Sequence, residues 1–409
     1  MGAFKWRFWI WLGVWLAGAA LVVAEVGFWA GGHPRLEDVA NYERWAFFLT
    51  GHGEFPGGHG WQYPPGAGWL MLVPRLVPTG YGEAWVGLMV LVDLVGLLLL
   101  ARLAWRSGRD AGVWVWVLGI PLLGSVSVLR FDLVPTVIAI AALVVIHRRP
   151  GWFGALVGLG AAIKLWPALL LLGEWDRPRL VRSALVAAGV VVLVVVVSMV
   201  FFGDATGFLS NGNGRGLQEE AVATVPWHVG QIVSGDPYSR EVRFGSWQIV
   251  GAGTRFVTDL LKVLLVAVLA GAATWWWYRA KAIRAGRAEL ADDAVSRDFV
   301  FAVVLGVVVT SPVLSPQYMI WLLGLAAVVL SAGPTRLRRP AWIVVGATAL
   351  SAVGIRSSEA ILIRDLALLF ATVDAATTMV RQLSSTPGRS ARRARRSSAG
   401  RRSRPRSAS

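Results

Sequence analysis

The chain has 409 residues, of which 56% are hydrophobic, and this composition excludes a soluble globular protein and indicates a helical protein with several membrane spans. The formal net charge of +16 does not indicate nucleic-acid binding, because much of it lies in the last twenty or so residues. The absence of cysteine excludes disulfides, thiolate metal sites and cysteine nucleophiles.

Long apolar runs predict the membrane spans. The first run is too long and too rich in tryptophan for a cleaved signal peptide, so we interpret it as a retained span. In chain order, the predicted spans cover residues 6–29, 82–104, 111–128, 131–147, 180–202, 255–278, 298–314, 316–332, 341–355 and 359–380.

Two further apolar runs are ambiguous by length alone. Residues 66–79 are short and interrupted by prolines, and residues 152–173 carry Lys164 and Pro167 in their middle. Clusters of basic residues mark the cytoplasmic ends of membrane spans. All five clusters lie on the cytoplasmic side only under one topology. In it, residues 66–79 enter the membrane from the outside and return to the outside, and residues 152–173 form two half-spans broken near Lys164. Half-helices are tolerated where they line a cavity, so this break indicates a site. The clusters are Arg102/Arg106/Arg109, Arg148/Arg149, Arg177/Arg179/Arg182, Arg279/Lys281/Arg284/Arg287 and Arg336/Arg338/Arg339.

This orientation places two long polar segments, 30–65 and 203–254, on the outside. Within the first, a short amphipathic helix is predicted from Glu37 to Thr50. Its expected apolar positions are Val39, Tyr42, Ala46 and Leu49. Asp38 and Tyr42 lie four residues apart and are expected to share a face.

The C-terminal segment has a different composition. Nine arginines and no acidic residue lie between Arg389 and Arg406. Such a segment cannot bury enough apolar surface to fold, and anionic lipid headgroups attract it with about 1 kcal/mol per charge. We therefore predict an integral membrane domain over 1–380 and a disordered basic cytoplasmic tail over 381–409, with membrane lipids and not nucleic acid as its partner.

The pair Glu37-Asp38 stands just outside the first span. Acidic groups are costly to hold next to hydrocarbon, so a carboxylate at the mouth of a membrane bundle is a functional-site hypothesis. The same residue has a structural alternative, because Asp is also a good helix N-cap.

Several short motifs in this order resemble those of the GT-C glycosyltransferases, and among them the polyprenol-phosphate-mannose-dependent mannosyltransferases of glycosyltransferase family 87. The resemblance runs from about residue 30 to residue 330. It rests on Asp38 with Tyr42, Tyr63-Pro64-Pro65, Arg130-Phe131-Asp132 with Pro135, Ala161-Ala-Ile-Lys164-Leu-Trp-Pro167, Arg215-Gly-Leu-Gln218-Glu219 and Ser315-Pro-Gln317-Tyr318. The chain departs from the family at Glu220, where a small hydroxyl residue is usual, and this leaves the role of Glu220 open.

The resemblance implies an all-α polytopic membrane protein, a GT-C-like bundle of about 10–12 transmembrane helices with two long outer loops. It implies transfer of a sugar, mannose first, from a polyprenyl phosphate to a hydroxyl of a glycolipid or polysaccharide acceptor on the outer face of the cell membrane. A hydroxyl needs a base to take its proton, and Asp38 matches the family's aspartate. Glu37 is the local rival, about 100° away around the helix.

The leaving phosphate calls for cations. Arg215, Lys164, Arg130 and His228 are the candidates. A charged lysine between apolar residues needs an anionic partner, and either the donor phosphate or an internal carboxylate such as Asp132 would serve. A lone histidine in a loop is alternatively a satisfied polar residue.

Recognition of a sugar requires aromatic faces and polar side chains. The expected substrate-binding residues are Tyr42, Tyr63, Gln218, Glu219, Gln317 and Tyr318. Trp61 and Trp227 are further candidate walls, although many of the 22 tryptophans are expected to sit at membrane interfaces. We predict no metal site and no cofactor, because the Glu219-Glu220 pair alone supplies too few oxygens for Mg²⁺ or Ca²⁺.

Two other functions remain open at this level. Relatives of the family transfer arabinofuranose from decaprenyl phosphate in cell-wall polysaccharide synthesis. A lipid or solute transporter would use Asp38 and Lys164 as coupling or substrate-binding charges, although the matched halves common in transporters are not evident.

Overall fold

A computed structural model describes residues 2–28, 36–57, 61–211, 215–243, 245–353 and 357–384. Its helices are α1 (Gly2–Phe28), α2 (Leu36–His52), α3 (Gly66–Leu72), α4 (Tyr81–Ser107), α5 (Ala111–Leu122), α6 (Val126–Leu129), α7 (Leu133–Val145), α8 (Pro150–Ile163), α9 (Arg177–Phe202), α10 (Phe208–Asn211), α11 (Val225–Ser234), α12 (Thr254–Arg284), α13 (Asp293–Val309), α14 (Tyr318–Ala332), α15 (Arg338–Val353) and α16 (Ser358–Ser384). Short 3₁₀ segments cover Val73–Leu76, Trp166–Gly173, Val222–Thr224 and Ala288–Ala291. The predicted all-α polytopic class is confirmed.

Helix length separates two kinds of element in the bundle. Within the described ranges, four helices are long and apolar enough to cross a membrane: Trp6–Gly27, Tyr81–Ser107, Arg177–Phe202 and Thr254–Arg284. The apolar helices α5, α7, α8 and α14 have only 12 to 15 residues, fewer than the roughly 20 that a bilayer core requires. The spans predicted at 111–128, 131–147 and 316–332 are therefore shorter than expected.

The shortened helices end where polar loops begin. Helix α5 stops at Leu122 because Pro121 and Gly124, the latter with φ of +56°, interrupt the helical backbone. The segment that follows, 130–132, carries predicted site residues. Helix α13 similarly stops at Val309, before the loop that leads to Gln317.

The predicted break near Lys164 is confirmed. Helix α8 ends at Ile163, Lys164 is extended with φ of −155° and ψ of 133°, and the chain continues as the 3₁₀ segment 166–173. Helix α8 approaches α9 closely, since a Cβ atom on Gly154 or Gly158 would lie within 2.5 Å of the Ser183 or Ala187 carbonyl. Small residues four apart allow this backbone approach, which fixes the position of the break.

The basic clusters gather at one end of the bundle. Helix α4 has 27 residues, about 40 Å of helix; it begins beside α2 and ends near Arg106, which interacts electrostatically with Arg148. Helix α9 runs the opposite way, from Arg177 to Phe202, whose ring packs against Phe55 at 5.7 Å. The segments next to α2 thus lie at the end away from these clusters.

Two further clusters join the same end. Helix α12 packs near its C-terminal end against the 3₁₀ segment that precedes α9, where Arg279 donates to the Gly173 carbonyl. The backbone N–H of Arg336 donates to Asp298 at 3.0 Å, and the neighbouring Arg297 interacts electrostatically with Arg148. The distribution agrees with the orientation derived from the positive charges.

The described residues of both predicted outer segments are folded. In the first, α2 buries Val39, Tyr42, Ala46 and Leu49, as predicted from their spacing. The second contains α10, α11 and a three-stranded antiparallel sheet that the sequence analysis did not predict. The sheet has strands β1 (Leu217–Gln218), β2 (Arg240–Arg243) and β3 (Ser246–Ile249) in the order β1-β3-β2, with Leu217 and Arg240 both opposite Ile249.

The tail predicted over 381–409 begins four residues inside α16, which continues to Ser384. The rest of the predicted tail lies outside the described residues.

Candidate active site

A cavity of about 410 Å³ opens between α2, α6, the small sheet, the loop before α14 and the facing ends of α15 and α16. It lies beside α2, and so at the end away from the basic clusters. Its polar lining consists of Glu37, Asp38, Asn41, Arg130, Gln218, Glu219, Glu220, Ser246, Ser315, Gln317, Ser351 and Arg364. Its apolar lining includes Leu123, Val126, Leu129, Leu314, Leu350 and Ile361.

Asp38 lines this cavity from the first turn of α2. Its carboxylate pairs with the Arg130 guanidinium at 2.6 Å, and the two side chains are 21% and 25% exposed. Arg130 follows α6 in an extended conformation, which brings it across to α2. The pair is open to the cavity on one side, so a ligand could compete for either partner.

Glu37 also lines the cavity. The helical offset separates it from Asp38 around α2, but the cavity is wide enough to reach both side chains at the beginning of the helix.

Lys164 interacts electrostatically with Arg130 of the Asp38–Arg130 pair. Its ammonium bonds to Asp132 at 2.5 Å, and Trp321 donates to the same carboxylate oxygen at 2.7 Å. The ammonium also lies 4.8–6.0 Å from the ring centres of Tyr63, Phe131, Tyr318 and Trp321, at cation–π distance. Of the two partners considered for Lys164, the structure has the internal carboxylate in place.

Arg215 belongs to the same group of charges. It interacts electrostatically with Lys164, Tyr63 and Tyr318, and Arg130 interacts with the same three residues. Three of the four predicted phosphate ligands are therefore brought together, three cations with two carboxylates, Asp38 and Asp132.

His228 is placed differently from the prediction. It is fully buried, and its ring nitrogens contact the Glu219 carbonyl at 3.0 Å and the Ser358 hydroxyl at 3.1 Å. Burial is the main cause that lowers the pKa of His228, so the ring is neutral near pH 7. A neutral, enclosed imidazole that does not line the cavity is not placed to bind a phosphate, and the alternative of a satisfied polar residue describes it better.

Residues 218–220 form another part of the cavity wall. Gln218 donates to Ser246 at 2.7 Å, and Glu219 accepts from Tyr238 at 2.8 Å and from Arg240. Strand pairing to β3 holds this segment. Gln218, Glu219 and Gln317 all line the cavity.

None of the three predicted tyrosines is among the residues that line the cavity. Tyr42 is 1% exposed and packs against Trp85 and Phe131, with ring centres 4.7 and 5.8 Å away. Tyr63 and Tyr318 surround Lys164, as described above. Their positions suit support of the charged groups more than direct contact with a sugar, which corrects the expectation for Tyr42 most clearly.

Two charged residues of α16 were missed. Arg364 and Asp365 stand inside a stretch that the sequence analysis treated only as a span. Arg364 lines the cavity, 3% exposed, and bonds to Glu220 and Asp365. An adjacent ionisable pair in an apolar stretch is itself the signal that could have identified them.

No three His, Asp or Glu side chains within the described ranges form a group that could hold a metal ion.

The family model of Glycosyltransferase family 87 matches residues 61–316. No curated protein and no solved structure matches the chain. The matched segment contains Tyr63, Arg130, Lys164, Arg215, Gln218, Glu219 and His228. Outside it lie Asp38, Tyr42, Gln317 and Tyr318.

Proposed function

The chain belongs to glycosyltransferase family 87, and we propose that it transfers a sugar, with mannose as the first candidate, from a polyprenyl phosphate carrier to a hydroxyl of a lipid- or polysaccharide-linked acceptor. The observation that carries this proposal is the cavity in which the Asp38 carboxylate pairs with Arg130. Lys164 interacts electrostatically with Arg130 and with Arg215. One group can take a proton there, and three can stabilise a phosphate.

The bond-forming step requires a base. The acceptor oxygen attacks the anomeric carbon, and its proton passes to the Asp38 carboxylate as the new C–O bond forms. A positioned carboxylate contributes typically about 10²–10⁴-fold to such a step. Asp38 suits this role because it is on a rigid helix and its side chain reaches the cavity.

The bond-breaking step requires cations. The bond between the anomeric carbon and the phosphate oxygen breaks, and its electron pair leaves with the polyprenyl phosphate. Preorganised cations stabilise that charge most strongly where water is excluded. Arg130 and Arg215 can present a guanidinium to phosphate oxygens. Lys164, held by Asp132 and four aromatic rings, adds a fixed positive charge near these two arginines.

Arg130 has a second use in this scheme. Before the donor binds, it holds Asp38 at 2.6 Å. A phosphate that draws the Arg130 guanidinium toward itself would release the Asp38 carboxylate for the acceptor proton. Donor binding would then precede activation of the base.

The apolar lining residues and the position of the cavity support a lipid-borne donor on the outer face of the membrane. The lining residues Leu123, Val126 and Leu129 offer hydrocarbon contact for the first isoprene units. The cavity lies at the end away from the basic clusters, and such clusters mark the cytoplasmic side. We therefore propose that the protein lies in the cell membrane with its reaction outside the cytoplasm.

Replacing Arg215 by alanine tests the lipid-phosphate donor. With polyprenyl phosphate mannose and a membrane glycolipid extract, we expect the KM for the donor to rise about 10- to 100-fold, since a hydrogen bond to a charged group contributes about 1.5–3 kcal/mol. The KM for the acceptor should change little.

The matched control is Arg243→Ala. Arg243 is an exposed arginine of the same outer segment and pairs only with Glu241 among the described ion pairs. Its replacement should leave both KM values near those of the wild type. A change confined to acceptor use in Arg215→Ala would contradict the phosphate role.

A further inference from the structure

Two groups of charged side chains near the cavity differ in net charge. In the first group, three cations (Arg130, Lys164 and Arg215) accompany the carboxylates Asp38 and Asp132; Asp38 and Arg130 line the cavity. In the second group, three carboxylates (Glu219, Glu220 and Asp365) accompany the guanidinium groups of Arg240 and Arg364; Glu219, Glu220 and Arg364 line the cavity. An anionic donor and a neutral acceptor would be sorted by this difference.

Glu220 is held at the cavity by a buried arginine. Arg364 Nη1 donates to Glu220 Oε2 at 2.9 Å and Nη2 donates to the Glu220 backbone carbonyl at 2.7 Å. Arg364 Nε donates to Asp365 Oδ1 at 2.9 Å. The guanidinium is 3% exposed, whereas the Glu220 side chain is 29% exposed. Arg364 therefore fixes both the backbone and the side chain of Glu220, and the carboxylate is the part that a ligand can reach.

The surroundings of Glu220 are poorly suited to a phosphate. The Arg364 guanidinium already serves two carboxylates at hydrogen-bond distance, so an added anion would meet more negative than positive charge. A hydroxyl has no such difficulty, because it can donate to a carboxylate oxygen without adding charge.

We propose that Glu220, positioned by Arg364, binds hydroxyl groups of the acceptor sugar, and that the acceptor presents an uncharged polyol and not a phosphorylated sugar to this wall. The proposal rests on the proposed glycosyl transfer and adds the acceptor class and two residues to it. Glu220 is the binding residue and Arg364 is the positioning residue.

The test uses the purified full-length protein with radiolabelled polyprenyl phosphate mannose. The acceptors are two synthetic alkyl mannosides, one with an uncharged sugar and one whose sugar carries a phosphate. We expect the wild type to label the uncharged mannoside. In Glu220→Gln, the acceptor concentration for half-maximal rate should rise about tenfold, the value for a lost charge-assisted hydrogen bond, while the donor KM and the maximal rate stay within about twofold.

Arg364→Lys provides the second variant. Lysine keeps the charge but cannot hold the Glu220 side chain and backbone with one planar group, so the same rise in half-saturating acceptor concentration is expected. Glu241→Gln is the matched control, because Glu241 is an acidic residue of β2 that pairs with Arg243 and does not line the cavity.

Label entering only the phosphorylated mannoside would overturn the proposal, as would an unchanged acceptor dependence in Glu220→Gln. An equal loss of maximal rate with both variants and no change in acceptor dependence would also overturn it, since a purely structural role predicts that pattern. Failure of the proposed function looks different: the wild type would then leave the donor unconsumed with both mannosides.

Discussion

Replacing Asp38 by asparagine is expected to lower kcat by about 10²–10⁴-fold. Asparagine keeps the size of the side chain and can still accept a hydrogen bond from Arg130, but it cannot take the acceptor proton. The variant should fold and keep its donor KM within a few-fold of the wild type. Single-turnover transfer with saturating donor and acceptor measures the effect.

The matched control for this variant is Glu37→Gln. Both carboxylates begin α2 and both line the cavity, but only Asp38 pairs with Arg130 among the described ion pairs. We expect Glu37→Gln to retain most of the turnover. If the two effects were exchanged, Glu37 would be the base, and a loss of folding in Asp38→Asn would favour the helix-capping role.

The second large effect is on stability. Replacing Lys164 by methionine leaves the Asp132 carboxylate, 1% exposed, without its ammonium partner in a buried position. Removal of one member of a buried ion pair costs about 3–5 kcal/mol. We expect a clear fall in the melting temperature of the protein in detergent, and loss of transfer activity, since Lys164 supports the donor phosphate in our scheme.

The double variant Lys164→Met, Asp132→Asn separates these two effects. The amide removes the uncompensated charge and keeps an oxygen for the Trp321 N–H, so most of the melting temperature should return. Transfer activity should not return with it. Recovery of activity together with stability would show that Lys164 and Asp132 form a structural pair with no part in phosphate stabilisation.

Sequence patterns predicted the elements whose cause is local. The spacing of Val39, Tyr42, Ala46 and Leu49 identified the buried face of α2, because helical periodicity determines which side chains share a side. The break at Lys164 was predicted from a charge and a proline inside an apolar run together with the positions of basic clusters. The face of α2 follows from neighbouring residues alone, whereas the break also follows from the distribution of basic residues along the whole chain and from general membrane physics.

The pairing of charges could not be predicted in the same way. Asp38 with Arg130, and Glu220 with Arg364, come from segments far apart in the chain. Composition indicates that a buried charge needs a partner, but it does not identify the partner. His228 shows a second limit of sequence patterns. It lies in a segment predicted as an outer loop and was expected to be accessible to a phosphate, but it is enclosed by Glu219 and Ser358.

The small sheet escaped prediction for another reason. Its strands have two to four residues, too few for a period of two to be recognised. The sheet nevertheless fixes Gln218 and Glu219 at the cavity by pairing β1 with β3. Short strands whose stability comes from packing are not visible in local propensity.

In our proposal, the sugar arrives on a polyprenyl phosphate. The most direct test incubates the purified wild-type protein with a glycolipid extract as acceptor and a panel of radiolabelled donors. The donors are polyprenyl phosphate mannose, polyprenyl phosphate arabinofuranose and nucleotide sugars. We predict label transfer from a polyprenyl phosphate sugar, with mannose the preferred one, and none from nucleotide sugars. Transfer from a nucleotide sugar, with both lipid phosphate sugars left intact, would contradict it.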